Sequence, residues 1–170
     1  MSIQTIQHNN IDYPAFQSHG FAAKFAFPYA KEVCVGFGCD VGCNRKEWAF
    51  VDKNGIDALL VDPAICTEYH ALNLPPGSFD YIFSSHMLEH VDNWVEVLNY
   101  WQTRLKRGGT LFLYLPHYSQ TYWRPWHNRK HVHALTPDML RDYLTDKGYT
   151  NIFVSGVDLN NSFMVMAEKA

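Results

Sequence analysis

The stretch Phe37-Gly38-Cys39-Asp40-Val41-Gly42-Cys43-Asn44, answered by Ala58-Leu59-Leu60-Val61-Asp62, constrains this chain most. A short apolar run that breaks at glycine beside an acid, followed by a second apolar run ending in an acid, is how a parallel α/β sheet holds a nucleoside-type cofactor. The glycines Gly36, Gly38 and Gly42 lack the Gly-x-Gly-x-x-Gly spacing of a dinucleotide fingerprint, which argues against a nicotinamide-dependent oxidoreductase. With the first strand at Gly38–Val41, Gly42 becomes the tight-turn residue, whose missing Cβ permits an unusual dihedral angle or the close approach of a ligand. Asp40 then ends the strand where it either accepts from a ligand cation or orients the loop. Asp62 stands at the carboxyl end of the second strand, a position from which an acid accepts both hydroxyls of a ribose.

A length of 170 residues with 47% apolar content suits one domain with one core. Lys and Arg number 14 against 17 Asp and Glu, a net charge of -3, so the bulk charge gives no reason to favour a nucleic-acid partner. No run approaches the roughly 18 apolar residues of a membrane span, and the amino terminus lacks a basic segment followed by an apolar one. No membrane association and a cytoplasmic location are therefore expected. Cys34, Cys39, Cys43 and Cys66 have no Cys-x-x-Cys pairing and are expected to be reduced, mostly buried thiols.

Residues 1–36 are expected to form an N-terminal arm and partly helical lid, in which Pro28 interrupts an imperfect helical pattern. Residues 37–170 form the main domain. Its first crossover, Arg45–Phe50, is short. Cys66–Leu74 is expected to contain a weak short strand, and Phe79–Phe83 to be a strand. Asn93 and Glu96 make a capping pair, ahead of a helix that buries Trp94, Val97, Leu98, Trp101 and Leu105 and stops at Gly108-Gly109. The two tryptophans read as core residues. Thr110–Leu115 is the next strand. Thr136-Pro137-Asp138 has the order of cap, Pro at the first position and acid in the first turn, opening a helix with Met139, Leu140, Tyr143 and Leu144 inward. Tyr149–Val157 and Ser162–Ala167 form a terminal hairpin.

The connection 116–134 is crowded with rings and has no period, and at the carboxyl end of a sheet it reads as the substrate-side loop. Tyr118, Tyr122, Trp123 and Trp126 suit a ring or sugar face, or a patch for a homodimer. Arg124, Arg129 and Lys130 suit a carboxylate or phosphate on the substrate. His86, His117, His127, His131 and His133 all have the side chain of a base near neutrality. His117 and His131 are favoured as catalytic, one directly after the strand and the other in the return of the loop. An extended His131-Val132-His133 would put two imidazoles on one face, but a metal needs a further ligand, and no metal site is expected.

In this register the chain resembles the class I S-adenosylmethionine-dependent methyltransferases from about Gly38 to Lys169. The likeness rests on Asp40-Val41-Gly42-Cys43, Leu60-Val61-Asp62, Asn73-Leu74-Pro75, Ser78-Phe79-Asp80-Tyr81-Ile82, Ser84-Ser85-His86-Met87-Leu88-Glu89-His90 and Leu105-Lys106-Arg107-Gly108-Gly109-Thr110-Leu111, in that order. The resemblance implies an α/β, Rossmann-like, seven-stranded and mostly parallel sheet with helices on both faces and an antiparallel C-terminal strand. It also implies that S-adenosylmethionine is the cofactor and S-adenosylhomocysteine the product. Asp40, Gly42 and Cys43 would line the methionine end and Asp62 would hold the ribose. The loop from His70 to Leu74, with Asn73 and Leu74, would lie along the adenine. Ser85 and His86 would close over the cofactor beneath the substrate. Asn44 replaces the glycine usual after the glycine-cysteine pair, and as a residue tolerant of left-handed backbone it would preserve the turn. The activity implied is methyl transfer to an oxygen or nitrogen of a small molecule or glycan-type substrate; the alternative is a catalytically inactive binding or assembly protein on the same fold.

Overall fold

The structure, a computed structural model, describes residues 4–8, 11–15, 21–50, 58–61 and 68–170. Its strands and helices are β1 (Thr5–His8), β2 (Ile11–Pro14), α1 (Phe27–Val33), β3 (Gly38–Val41), β4 (Ala58–Val61), β5 (Phe79–Ser85), α2 (Trp94–Arg104), β6 (Leu105–Pro116), α3 (Pro137–Asp146), β7 (Tyr149–Val154) and β8 (Ser162–Lys169). The arm contains an antiparallel hairpin, β1 with β2, where the sequence showed no period. Pro28 lies in the first turn of α1. A missing N–H costs nothing there, so the residue expected to interrupt a helix instead starts one.

The main sheet has the order β4-β3-β5-β6-β8-β7. β3 runs parallel to β4 and β5, β5 runs parallel to β6, and β8 is antiparallel to both of its neighbours. It is a mixed, Rossmann-like sheet, with six strands among the described residues in place of the expected seven. The weak short strand expected within Cys66–Leu74 does not appear among residues 68–74. Those residues close on themselves: His70 and Asn73 exchange backbone hydrogen bonds of 3.1 and 2.8 Å, and the Asn73 amide donates to the Glu68 carbonyl. Backbone groups satisfied inside a turn are not available to a ladder. Residues 62–67 lie outside the described residues.

Alternation along the central strands sends side chains to two covered faces. Leu111, Leu113 and Leu115 of β6 join Val97, Leu98 and Trp101 of α2 and Leu140 and Leu144 of α3 in one core. Phe112 and Tyr114 point the other way and join Tyr81 and Phe83 of β5, Phe50, and Ala22, Ala26, Ala30 and Cys34 of the segment around α1. Small residues at that spacing let α1 approach the aromatic surface closely. Helix α2 ends at Arg104, earlier than the glycine pair suggested. Leu105 is extended (φ -73°, ψ 140°) and pairs with Phe79, because its side chain is buried in the core and the Arg104 guanidinium is drawn off to the carbonyls of Pro75 and Gly77. In α3 the Thr136 cap and Pro137 stand as expected, and Leu140 and Leu144 are buried in the core with Tyr143 packed against it, but Met139 is 44% exposed. Among the described residues no helix is long and apolar enough to cross a membrane.

Cys34, Cys39 and Cys43 form no disulfide. Burial pushes the thiols of Cys34 and Cys39 well up from their ordinary value, with Asp40 adding to the effect at both. Since the thiolate is the reactive form, iodoacetamide at neutral pH should leave both unmodified in the folded chain and alkylate both in urea. Peptide mass mapping checks this; native labelling of Cys39 would contradict its placement in β3.

Candidate active site

The carboxyl ends of β3, β4 and β5 meet at Gly42. Its N–H donates to the Val61 carbonyl at 3.0 Å, which pins the turn beside the end of β4, and its φ of 98° lies in the region that L side chains avoid. A Cβ built on Gly42 would collide with Cβ and Cγ of Met87. The absent side chain thus makes room for Met87. Asn44 is exposed and does not have a positive φ; among the described residues other than glycine, that conformation belongs to His86, Asn151 and Asn161. The expected left-handed turn at Asn44 is therefore corrected: Gly42 has already turned the chain.

Two clefts open on either side of Gly42. One is lined by Val41, Gly42, Val61, His70, Ala71, Leu72 and Met87, and reaches Asp92 and Asn93 at the start of α2. The other is lined by Asp40, Gly42, Cys43, Asn44, Ser85 and His86, together with Phe21, Ala22 and Trp48. The first offers a flat apolar slot against a loop, the second a polar end. Asp40 is 2% exposed, and its Oδ2 accepts the Phe50 N–H at 2.6 Å, so it anchors the loop that closes the polar cleft. The Cys43 thiol donates to the Arg45 carbonyl. Phe21 stacks on Trp48 with centroids 5.6 Å apart, roofing this cleft.

The loop His70–Leu74 borders the first cleft, whose wall there is made by His70, Ala71 and Leu72. Leu74 is buried, with its N–H donating to the Tyr100 hydroxyl at 2.9 Å, and the Asn73 side chain turns back to Glu68. The loop is hung from the core by the Trp101 indole N–H, which donates to the Ala71 carbonyl at 2.8 Å. Asp62 lies outside the described residues, immediately after Val61.

Beyond Ser85 the chain takes its left-handed step at His86 (φ 49°). The His86 N–H donates to the Tyr114 carbonyl, Nε2 lies 3.1 Å from the Ser162 hydroxyl, and Nδ1 lies 3.7 Å from Glu89 Oε1. Burial, with His131 and His90 nearby, lowers the His86 pKa to about 3, so the imidazole is neutral. Burial pushes Glu89 the other way, up to about 8. Beside them the Tyr114 hydroxyl donates to Asp158 Oδ2 at 2.6 Å, and Asp158 Oδ1 accepts from the N–H groups of Asn160 and Ser162, fixing the β7–β8 connection against the site.

The two histidines favoured from sequence separate. His117 Nδ1 accepts the Ser119 N–H at 3.2 Å, which leaves the proton of the neutral ring on Nε2; the residue lines a pocket with Glu89, Pro116, Tyr118, Trp123, Arg124 and His133. His131 is 2% exposed and stacks on Trp123, 4.5 Å between centroids and 6° between planes. Burial first, then His90, lowers its pKa to about 4. His133 does not join it: its Nε2 meets the Asp92 carbonyl. Met87 and Glu89 stand in the quoted Ser-Ser-His segment and were legible as neighbours of His86. Phe21, Tyr114 and Ser162 carried no local signal, because packing alone brings them here.

A methyltransferase-domain family model matches residues 21–154. No curated protein matches the chain. Among solved structures, a SAM-dependent methyltransferase from Archaeoglobus fulgidus superposes with a TM-score of 0.67 at 17% identity, over 93% of this chain and 100% of that one. The N-methyltransferase NodS from Bradyrhizobium japonicum, in complex with S-adenosyl-L-homocysteine, gives 0.62 at 16% identity over 91% and 88%. The magnesium protoporphyrin IX methyltransferase of Synechocystis, with SAM bound, gives 0.60 at 13% identity over 91% and 80%. The chain belongs to the methyltransferase-domain family, of the class I type that depends on S-adenosylmethionine. The paired clefts fit that cofactor: an apolar slot for a base and a polar end for an amino acid, joined at a residue whose side chain must be absent.

Proposed function

We propose that the chain methylates an oxygen or nitrogen of a small molecule or sugar held under the 116–134 loop, with residues 37–170 as the transferring domain and residues 1–36 as the arm beside it. The observation that carries this reading is that the polar cleft ends at His86, whose ring also faces Trp123 of the loop, 6.4 Å between centroids. The cofactor supplies an electrophilic methyl group on a sulfonium; the remaining work is positioning, orientation and exclusion of water. Asp40, Gly42, Cys43 and Asn44 would hold its methionine end, Asp62 its ribose, and the loop from His70 through Asn73 and Leu74 its adenine. Ser85 and His86 would floor the acceptor site. His117, with its proton on Nε2, would orient a polar group of the acceptor by donating to it. Arg124, packed 4.2 Å over Tyr118, supports an acceptor that carries a carboxylate or phosphate.

S-adenosylhomocysteine should raise the melting temperature, and a metabolite screen for transfer of labelled methyl should identify the acceptor. Lack of any shift at millimolar S-adenosylhomocysteine would sink the reading. Asp62→Ala should weaken that binding by about 1–3 kcal/mol, roughly 5- to 150-fold in Kd, through lost ribose hydrogen bonds. Calorimetric titration decides; an unchanged Kd removes Asp62 from the ribose site.

A further inference from the structure

We propose that Glu89, His90 and His131 form a binding site for one divalent transition-metal ion that ties the substrate-side loop to the end of the sheet. One potential ligand atom from each of the three lies within 4.8 Å of the other two, although His131 is 41 residues from His90 in sequence. The backbone brings them together: the Val132 and His133 N–H groups donate to the Glu89 carbonyl at 2.8 and 3.3 Å.

Each side chain is poised as a ligand. His90 Nδ1 is 2.7 Å from the Lys130 carbonyl. A carbonyl only accepts, so the proton is on Nδ1 and the Nε2 lone pair is directed inward, 3.8 Å from Glu89 Oε1. The His131 ring is held by its stack on Trp123, and its Nδ1 is buried with no hydrogen-bond partner. Neither carboxylate oxygen of Glu89, a residue 1% exposed, has a hydrogen-bond partner either. Orphaned buried polar atoms are costly, and here they belong to two of the three side chains whose potential ligand atoms converge. An imidazole whose second nitrogen donates to a backbone carbonyl, as His90 does to that of Lys130, is the usual arrangement around a bound metal.

Two imidazoles and one carboxylate suit zinc or another borderline first-row ion, with a fourth position open. Bond lengths near 2.0–2.2 Å imply ligand atoms roughly 3.3–3.5 Å apart on a tetrahedral ion, so side-chain movements on the order of 1 Å close the site. The side chain of His90 is 39% exposed and provides the way in. His86 stands beside Glu89 but is engaged with Ser162 and is not counted as a ligand.

The test uses the full, tag-free chain stripped with a chelator and titrated with Co2+. One equivalent should bind with visible d–d absorption and raise the melting temperature, and Zn2+ should displace it. Glu89→Gln and His90→Ala should each weaken binding by more than about 100-fold, since losing even an outer-shell partner of a metal site costs about 10- to 100-fold. Should Glu89→Gln not fold, His90→Ala, at the most exposed of the three, carries the test alone. A parent chain that binds neither ion at millimolar concentration overturns the proposal, as does undiminished binding in the His90 variant. Titration with S-adenosylhomocysteine in the same samples keeps this outcome separate from that of the proposed methyl transfer.

Discussion

Trp101→Ala is expected to destabilise the chain by about 3–5 kcal/mol, the range for emptying a fully buried aromatic site, and to lower the melting temperature by roughly 6–20 °C for a domain of this size. Trp101 is 0% exposed and packs among residues of α2, β5 and β6. Its loss removes more than packing. The indole N–H is the tie to the Ala71 carbonyl, so the wall of the apolar cleft loses its link to the core. Trp101→Phe keeps most of the ring volume and removes that tie. It should show a smaller stability loss and a weaker affinity for S-adenosylhomocysteine. Urea unfolding with parallel ligand titration separates the two effects, and a Phe variant with parental affinity would show that the tie does not shape the cleft.

Gly42→Ala is the second large effect. The positive φ strains any L side chain by about 1–3 kcal/mol, and the new Cβ must displace Met87, an overpacking cost of about 1–3 kcal/mol. Both clefts border this residue, so S-adenosylhomocysteine binding should fall below detection at micromolar ligand. Adding Met87→Ala should recover only the share of the collision that comes from Cγ, since the Met87 Cβ that also blocks the site stays, and none of the backbone part. Thermal and urea denaturation of the two variants gives the split; a stable Gly42→Ala that still binds the ligand would contradict the geometry of the turn.

These two residues show how differently the sequence exposed the site and the core. Gly42 was legible because a strand that ends in glycine beside an acid has few physical uses, and β3 and β4 fall at the predicted Gly38–Val41 and Ala58–Val61. Trp101 was legible as core from helical periodicity, but its hydrogen bond to Ala71 was not, since periodicity reports a face and not a partner. Of the stretch Cys66–Leu74, expected to contain a weak short strand, residues 68–74 are taken by a local competitor, the His70–Asn73 turn. Met139 failed because the edge of an amphipathic stripe can lie on either side of the core boundary. The histidines were hardest. His131 looked like a base and emerged stacked on Trp123 with a lowered pKa, while Glu89, legible only as a member of the Ser-Ser-His segment, became part of the cluster.

By itself the sequence determined the α/β class, the Gly42 turn, the capped helices α2 and α3 and the resemblance to a cofactor-dependent family, because each depends on chemistry within a few residues along the chain. The tertiary structure alone decided the number of paired strands among the described residues, the two-part cleft and the convergence of Glu89, His90 and His131. Those depend on which distant backbone groups satisfy one another and on which side chains burial leaves facing across a gap, and no local pattern encodes that.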